Sequence, residues 1–260
     1  MMRALLIGYG KMGRLISQLA PQYHIAISGI VDSRPEPFPE SHIRYNMLTE
    51  EAIDACDIAI DFSSPKNICG RILSLATAQK PIIIGTTGWE KHQAEAKQII
   101  KDSQGSLLYA PNFSLGVALF TKLVAYAGEL FNTFSEYDVG IMETHHRQKQ
   151  DAPSGTALAL AEKLMQHYPK KTLKLELGKH DATNEDTICL SCHRSGFHPG
   201  THEVVFDSAE DSITLCHRAR NREGFAKGAL EAAFWLIDKK GYFTLDNMIE
   251  EKIRKTSHIT

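Results

Sequence analysis

No stretch of this 260-residue chain approaches the roughly 20 consecutive apolar residues that a membrane-spanning helix requires, so no membrane partner is expected. Charge of one sign is also missing: 29 Lys and Arg face 31 Asp and Glu, for a formal net charge of −2. Such a balance builds no field to hold a polyanion, and Lys and Arg are scattered among acids, which argues against a nucleic-acid partner. Cysteine is sparse and odd in number, at five. A chain this long buries enough surface to fold without disulfide staples, so reduced thiols and a cytoplasmic location are expected. The apolar opening, residues 1–8, runs straight into a glycine turn with no cleavage-site pattern and does not read as a secretory signal. Internal repeats and low-complexity tracts are absent too. What is present, 43% hydrophobic and 23% charged residues, is ordinary globular composition at a length that suits two modest domains.

The first half alternates short β-rich runs with helical patterns, which predicts a parallel sheet covered by helices. Strands are expected at 3–7, 25–31, 58–61, 81–84 and 107–109, and helices at about 12–22, 66–79 and 91–103. Residues 34–40, RPEPFPE, carry three prolines and must form a loop. Beyond Pro111 the pattern changes to a helix at 115–130, a strand at 137–144, a helix at 154–167 and strands at 187–193, 203–207 and 212–216. That grouping predicts an α+β unit with an antiparallel or mixed sheet. Periodicity alone does not place the apolar helix at 225–239.

The first strand leads directly into Gly8-Tyr9-Gly10-Lys11-Met12-Gly13, a GxGxxG between strand and helix, and Asp32 closes the second strand 19 residues after Gly13. Glycines there permit a tight turn and close approach of backbone to a pyrophosphate at the positive end of the helix. Asp32 would accept from the adenosine ribose hydroxyls and favour NADH. Arg34 either pairs with a 2′-phosphate, admitting NADPH, or is a solvated loop charge. Two more loops follow strand ends, Gly85-Thr86-Thr87-Gly88 and Ala110-Pro111-Asn112-Phe113-Ser114, where an open parallel sheet places its ligand crevice. Asn112 could orient a carboxamide or serve as a connecting turn.

The densest chemistry lies in ETHHRQKQDAPSGTA, residues 143–157. His145, His146, Arg147 and Lys149 put four potential cations in five residues, ahead of a helix that opens Ser154-Gly155-Thr156. A basic loop beside free helical N–H groups suits a small anionic substrate. Histidine and lysine can also donate the proton that hydride addition leaves outstanding. Cys189 and Cys192 with His198 and His202 have the look of a zinc set, but strand alternation aims the two thiols at opposite faces, so no metal is expected.

Taken together, GYGKMG, GTTG, APNFS, ETHHRQKQDAPSGTA, RSGFHPGTHEVVF and HRARNREGFAKGALEAAFWL resemble the ordered motif set of the 4-hydroxy-tetrahydrodipicolinate reductases over nearly the whole chain. The resemblance implies an α/β protein with a Rossmann-type dinucleotide-binding domain at 1–112. It implies a smaller α+β substrate and oligomerisation domain with a mixed sheet at 113–222, and a segment, 223–260, that returns to the first domain. It implies NADH- or NADPH-dependent reduction of a small dianion in the lysine and diaminopimelate pathway, carried out by a homotetramer. His145 would then be the catalytic acid with Lys149 assisting, while His146, Lys149, Gly155 and Thr156 hold the substrate carboxylates. Gly8, Tyr9, Gly10, Lys11, Met12, Gly13, Asp32, Gly85, Thr86, Thr87, Ala110, Pro111, Asn112 and Phe113 would hold the dinucleotide, with Arg222 at the hinge. Three departures from the family pattern stand out: a glycine turn one residue shorter than usual, Ser33 where many members carry arginine, and Gln148 in place of a frequent histidine. A different two-domain dehydrogenase, or a sensor that binds dinucleotide without turnover, are the alternative readings.

Overall fold

The computed structural model describes residues 1–34, 42–169, 171–176 and 186–257, so the proline loop lies, beyond Arg34, outside the described residues. The chain separates into two compact units, Met1–Ser114 with Glu223–Thr260, and Leu115–Arg222.

The first unit opens β1 (Met2–Ile7), α1 (Lys11–Leu19), β2 (Ile25–Val31), β3 (Arg44–Tyr45), α2 (Glu50–Asp54), β4 (Ile58–Asp61), α3 (Ile68–Thr77), β5 (Ile82–Ile84), α4 (Gln93–Asp102) and β6 (Ser106–Tyr109). Every residue of β4, β5 and β6 is buried, as befits strands covered by helices on both faces. Helix α1 stops at Leu19, short of the expected residue 22, because Pro21 enters a 3-10 turn that ends at His24 in the left-handed region. The 91–103 pattern likewise divides into a 3-10 turn, Glu90–His92, and α4.

The second unit runs α5 (Leu115–Phe131), β7 (Asp138–His145), α6 (Gly155–His167), β8 (Thr172–Glu176), β9 (Thr187–Arg194), β10 (Thr201–Asp207) and β11 (Ser212–Arg218). Its five strands lie in the order β11-β10-β7-β9-β8, with β10 antiparallel to both neighbours and β7, β9 and β8 parallel. Helices α5 and α6 pack on one face over a core that includes Phe120, Val124, Ile141, Leu160, Leu190 and Phe206. The other face, with Gly140, Met142, Cys189, Ser191 and Val205, lines a shallow depression of about 480 Å³.

The chain then forms α7 (Glu223–Leu236), β12 (Gly241–Thr244) and α8 (Leu245–Ser257). Helix α7 packs on α1 and on β4, β5 and β6 of the first unit. It buries Ala226, Gly228, Ala229, Leu230, Ala232, Ala233 and Leu236, mostly small residues on a broad face of the helix. Strand β12 adds a parallel edge beside β6, giving the order β12-β6-β5-β4-β1-β2-β3. No helix among the described residues is long and apolar enough to cross a membrane. Elements β3, α2, β8, β12 and α8 were not anticipated; four of the five are no longer than five residues, and α8 is highly charged.

Candidate active site

In the first unit the chain steps from β1 outward through β2 and β3 on one side and through β4, β5 and β6 on the other, so the sheet reverses between β1 and β4. Ligand crevices of open parallel sheets lie at that point, beyond the carboxyl ends of the strands. There Gly8 leaves β1 at φ 91°, and a Cβ on it would meet the Phe62 carbonyl oxygen at 2.7 Å, just past β4. Gly13, in the first turn of α1, faces the turn itself: a Cβ would stand 2.1 Å from the Gly8 carbonyl oxygen. Gly10 has open space, its nearest neighbour being Arg34 Nη2 at 3.8 Å. A cleft of about 850 Å³ opens here, lined by Gly8, Gly10, Asp32, Arg34 and Phe62 among others. A glycine cradle, a helix N-terminus and an acid on the second strand together fit a dinucleotide.

Asp32 does not wait free for a ribose. Its carboxylate accepts the Tyr9 N–H at 2.7 Å, the Arg34 N–H at 2.9 Å, Arg34 Nε at 3.0 Å and Arg34 Nη2 at 2.6 Å. The Arg34 guanidinium holds the carboxyl well below its ordinary range, against the effect of burial. Tyr9 itself is buried, with the Arg14 guanidinium 4.9 Å above its ring.

The two loops expected beside the nicotinamide are fixed from beneath. Buried Asp61, at the end of β4, accepts from Thr86 Oγ1 at 3.0 Å, Ser63 Oγ at 2.6 Å and Arg71 Nε at 2.8 Å. Trp89 Nε1 donates to the Thr86 carbonyl at 2.7 Å. Gly85 lies flat under the Phe62 ring, where a Cβ would clash at 2.1 Å, and Phe62 in turn meets Phe113 at 5.7 Å. Thr86 therefore turns its hydroxyl inward to Asp61, and Asn112 Oδ1 accepts the Ser114 N–H at 2.8 Å as a turn-forming side chain.

In the second unit the two-residue period of β7 sends Val139, Ile141, Glu143 and His145 to the helix-covered face, so an apolar stripe ends in an acid and a histidine. Register completes the cluster. On β10, His202 lies opposite Glu143. On β9, Cys192 pairs with Glu143 and Arg194 with His145. Glu143 is thereby fully enclosed: Oε1 accepts from Arg194 Nη2 at 2.7 Å and from the Ser154 N–H at 3.0 Å. Oε2 faces His145 Nδ1 at 3.4 Å and His202 Nε2 at 3.7 Å. Burial raises the carboxyl, but the contacts from His145, Ser154 and Arg194 together outweigh it and leave the pKa well below the ordinary range. Glu143, His145 and His202 lie close enough together to surround a cation, but the charge of Glu143 is already matched by Arg194.

Ser154 caps α6 by accepting the Ala157 N–H at 3.2 Å and shares its hydroxyl with His202 Nε2 at 3.1 Å. Lys149, expected as a free cation, binds both oxygens of Asp151 at 2.8 Å. His146 is anchored through its N–H to the His198 carbonyl at 2.9 Å, and its buried Nδ1 has no hydrogen-bond partner among the described residues. Gly155 begins α6 with nothing within 4 Å of where a Cβ would be. Thr156 follows it in the first turn, and Arg222 ends the second unit. Cys189 lines the open sheet face, whereas Cys192 packs against the core. Sequence reading gave Glu143 no role, although a charged residue continuing the inward stripe of Val139 and Ile141 is the signal that marks it. His202 and Arg194 carried no such signal, since only strand register brings them there.

Burial, and then the neighbouring His145, push His202 down to about 4 from the ordinary 6.5. The unfolded chain thus binds one more proton than the folded chain between those values, so stability is complete above about pH 6.5 and is lost as pH falls toward 4. Unfolding free energy is expected to drop on the order of 2 kcal/mol between pH 7 and pH 5. His217, lowered by burial, adds in the same direction. Urea titrations at both pH values check this: His202→Gln flattens the dependence, and an unchanged slope in the variant assigns the loss to other groups.

Two family models match the chain, "Dihydrodipicolinate reductase, N-terminus" over residues 2–113 and "Dihydrodipicolinate reductase, C-terminus" over residues 116–249. Among curated proteins, the 4-hydroxy-tetrahydrodipicolinate reductase of Christiangramia forsetii is 36% identical over 250 residues, covering 96% of this chain and 98% of its own. That of Aquifex aeolicus is also 36% identical, over 92% and 95% of the two chains. Among solved structures, the dipicolinate-bound dihydrodipicolinate reductase from Paenisporosarcina sp. TG-14 superposes with a TM-score of 0.77 at 21% identity, over 94% of this chain and 97% of that one.

Proposed function

The chain belongs to the dihydrodipicolinate reductase family and is an oxidoreductase that uses NADH or NADPH, and from that premise we propose that it reduces 4-hydroxy-tetrahydrodipicolinate to tetrahydrodipicolinate on the route to diaminopimelate and lysine. The observation that carries this reading is the end of β7: a histidine seated on a buried carboxylate, followed four residues on by a lysine and then by an N-capped helix start. The nicotinamide, when bound, supplies the hydride. Addition at C4 of the dehydrated, unsaturated imine leaves an enamine, and His145 delivers the proton that completes the reduction, with Lys149 assisting. His146, Lys149, Gly155 and Thr156 hold the two carboxylates, the Lys149 ammonium exchanging Asp151 for the substrate. The work divides between the units, with the dinucleotide held by the first through Gly8–Gly13, Asp32, Gly85–Thr87 and Ala110–Phe113, and the dianion by the second. Consumption of NADH or NADPH by purified protein supplied with 4-hydroxy-tetrahydrodipicolinate tests the proposal. Dinucleotide binding without consumption would instead favour a sensor.

Cofactor choice rests on the Asp32 and Arg34 pair. A 2′-phosphate competes with Asp32 for the guanidinium, whereas ribose hydroxyls compete with the guanidinium for Asp32. Asp32→Ala is therefore expected to raise the NADPH to NADH ratio of kcat/KM and Arg34→Ala to lower it. An unchanged ratio in both variants would remove the pair from this role.

We assign the uncovered face of the mixed sheet to self-association in a homotetramer. Met142, 45% exposed, and Val205 lie on that face beside Gly140 and Ser191, an apolar patch flanked by Asp138 and Asp207. Light scattering should give four times the 29.0 kDa chain mass, and Met142→Glu should lower it. A monomer in the unmodified protein overturns the assignment.

A further inference from the structure

We propose that Glu143 is the positioning residue of the proton donor: its carboxylate holds His145 as the Nδ1–H tautomer, leaving Nε2, beside Gly200, as the atom that gives up the proton. This rests on the reading of His145 as the acid.

A buried carboxylate is costly unless its charge and lone pairs are met. Arg194 and the Ser154 N–H meet Oε1 of Glu143, as described above. Oε2 has no hydrogen-bond partner among the described residues, and neither does His145 Nδ1, which faces it at 3.4 Å. That separation is an ion-pair distance, slightly long for an aligned hydrogen bond, and it is the shorter of the two histidine approaches to Oε2. An ionised carboxylate only accepts, so the nitrogen opposite it must carry a proton whether the ring is neutral or cationic. Nε2 is then the nitrogen of His145 that faces away from the carboxylate.

His202 does not compete for Oε2. It stands farther off, at 3.7 Å, and its Nε2 shares a hydrogen bond with Ser154 Oγ at 3.1 Å. With its pKa pushed down to about 4, it is uncharged at neutral pH. The two rings meet edge to face, 5.2 Å between centroids, so His202 packs against the His145 ring.

The other ring nitrogen points at a gap that only glycine leaves. Gly200 has φ 151°, and a Cβ there would stand 2.9 Å from His145 Nε2. A side chain at this position would cover the nitrogen, whereas glycine keeps it open. The charged and titratable groups around the pair include His202 and His217 on β10 and β11, Cys192 and Arg194 on β9, and Lys149 with Asp151 on the loop before α6.

Magnitude distinguishes this role from simple bracing. Where a carboxylate fixes the tautomer of a catalytic imidazole in hydrolases, its amide replacement keeps the geometry and costs about 10⁴ in kcat. Glu143→Gln retains an acceptor for Arg194 and Ser154 but sets an amide opposite Nδ1. The variant is expected to lose about 10²- to 10⁴-fold in kcat, with KM for the substrate and dinucleotide affinity within a few-fold of the parent.

The deciding readout is the ¹⁵N spectrum of the His145 ring, identified as the signals missing from His145→Ala and followed across pH. In the unmodified protein the neutral ring should carry its proton on Nδ1, and Glu143→Gln should reverse or mix the tautomers. The measurement on the unmodified protein stands even if the variant fails to fold. A ring protonated at Nε2 in the neutral unmodified protein overturns the proposal, as does a folded Glu143→Gln with parental tautomer and kcat. Turnover that survives His145→Ala overturns it by removing the donor, and the ring spectrum of the unmodified protein separates that failure from a failure of positioning.

Discussion

Replacing His145 with alanine is expected to lower turnover by about 10²- to 10⁴-fold and to leave dinucleotide affinity within a few-fold of the parent. The size of the loss follows from what remains after hydride transfer, a carbon that must be protonated in a site where an aligned donor is worth that range. Affinity should hold because His145 ends β7 in the second unit, whereas the glycine turn and Asp32 lie in the first. The side chain contributes little to the apolar core, standing at the end of the Val139 and Ile141 stripe against polar partners. Steady-state cofactor oxidation and a fluorescence titration with NADH separate the two quantities. Near-normal turnover would remove His145 from the role and leave Lys149 as the donor.

Two alanine substitutions in the glycine turn should fail in opposite ways. Gly13→Ala forces a methyl to 2.1 Å from the Gly8 carbonyl oxygen, and the obstacle is the backbone of the turn itself, so α1 must lift from β1. Overpacking costs about 1–3 kcal/mol even where side chains can yield, and here about 3 kcal/mol or more is expected. For a chain of this size that lowers Tm by about 6–12 °C. Gly10→Ala meets no obstacle nearer than 3.8 Å and has φ −79°, an ordinary value for any residue. Its Tm should stay within a degree or two of the parent, while the methyl takes the space a pyrophosphate approaches and weakens NADH binding on the order of 10- to 100-fold. Thermal unfolding and cofactor titration on both variants check the contrast. Undiminished affinity in Gly10→Ala would show that the turn does not cradle the dinucleotide.

Legibility followed the range of the interaction. Strands β1, β2, β4, β5 and β6 were readable because each is a short apolar run bounded by turn residues, and the cradle because strand, GxGxxG and helix are contiguous. The basic loop was readable as a cluster of cations, but its charge was overcounted: Asp151, two residues past Lys149, already neutralises that ammonium. Asp32 was read as open to a ribose, whereas Arg34, two residues on, occupies its carboxylate. In both cases the partner was visible in the sequence, and the conformation that joins the pair was not.

The sequence by itself determined the sheet-and-helix alternation and the glycine turn, because periods of 2 and 3.6 residues and glycine sterics act over a few residues. Tertiary structure alone decided that His202 from β10 and Arg194 from β9 converge on Glu143, and which strands, β4, β5 and β6, the returning α7 covers. Those outcomes depend on strand register and chain return, set by packing between segments dozens of residues apart, which no local pattern encodes.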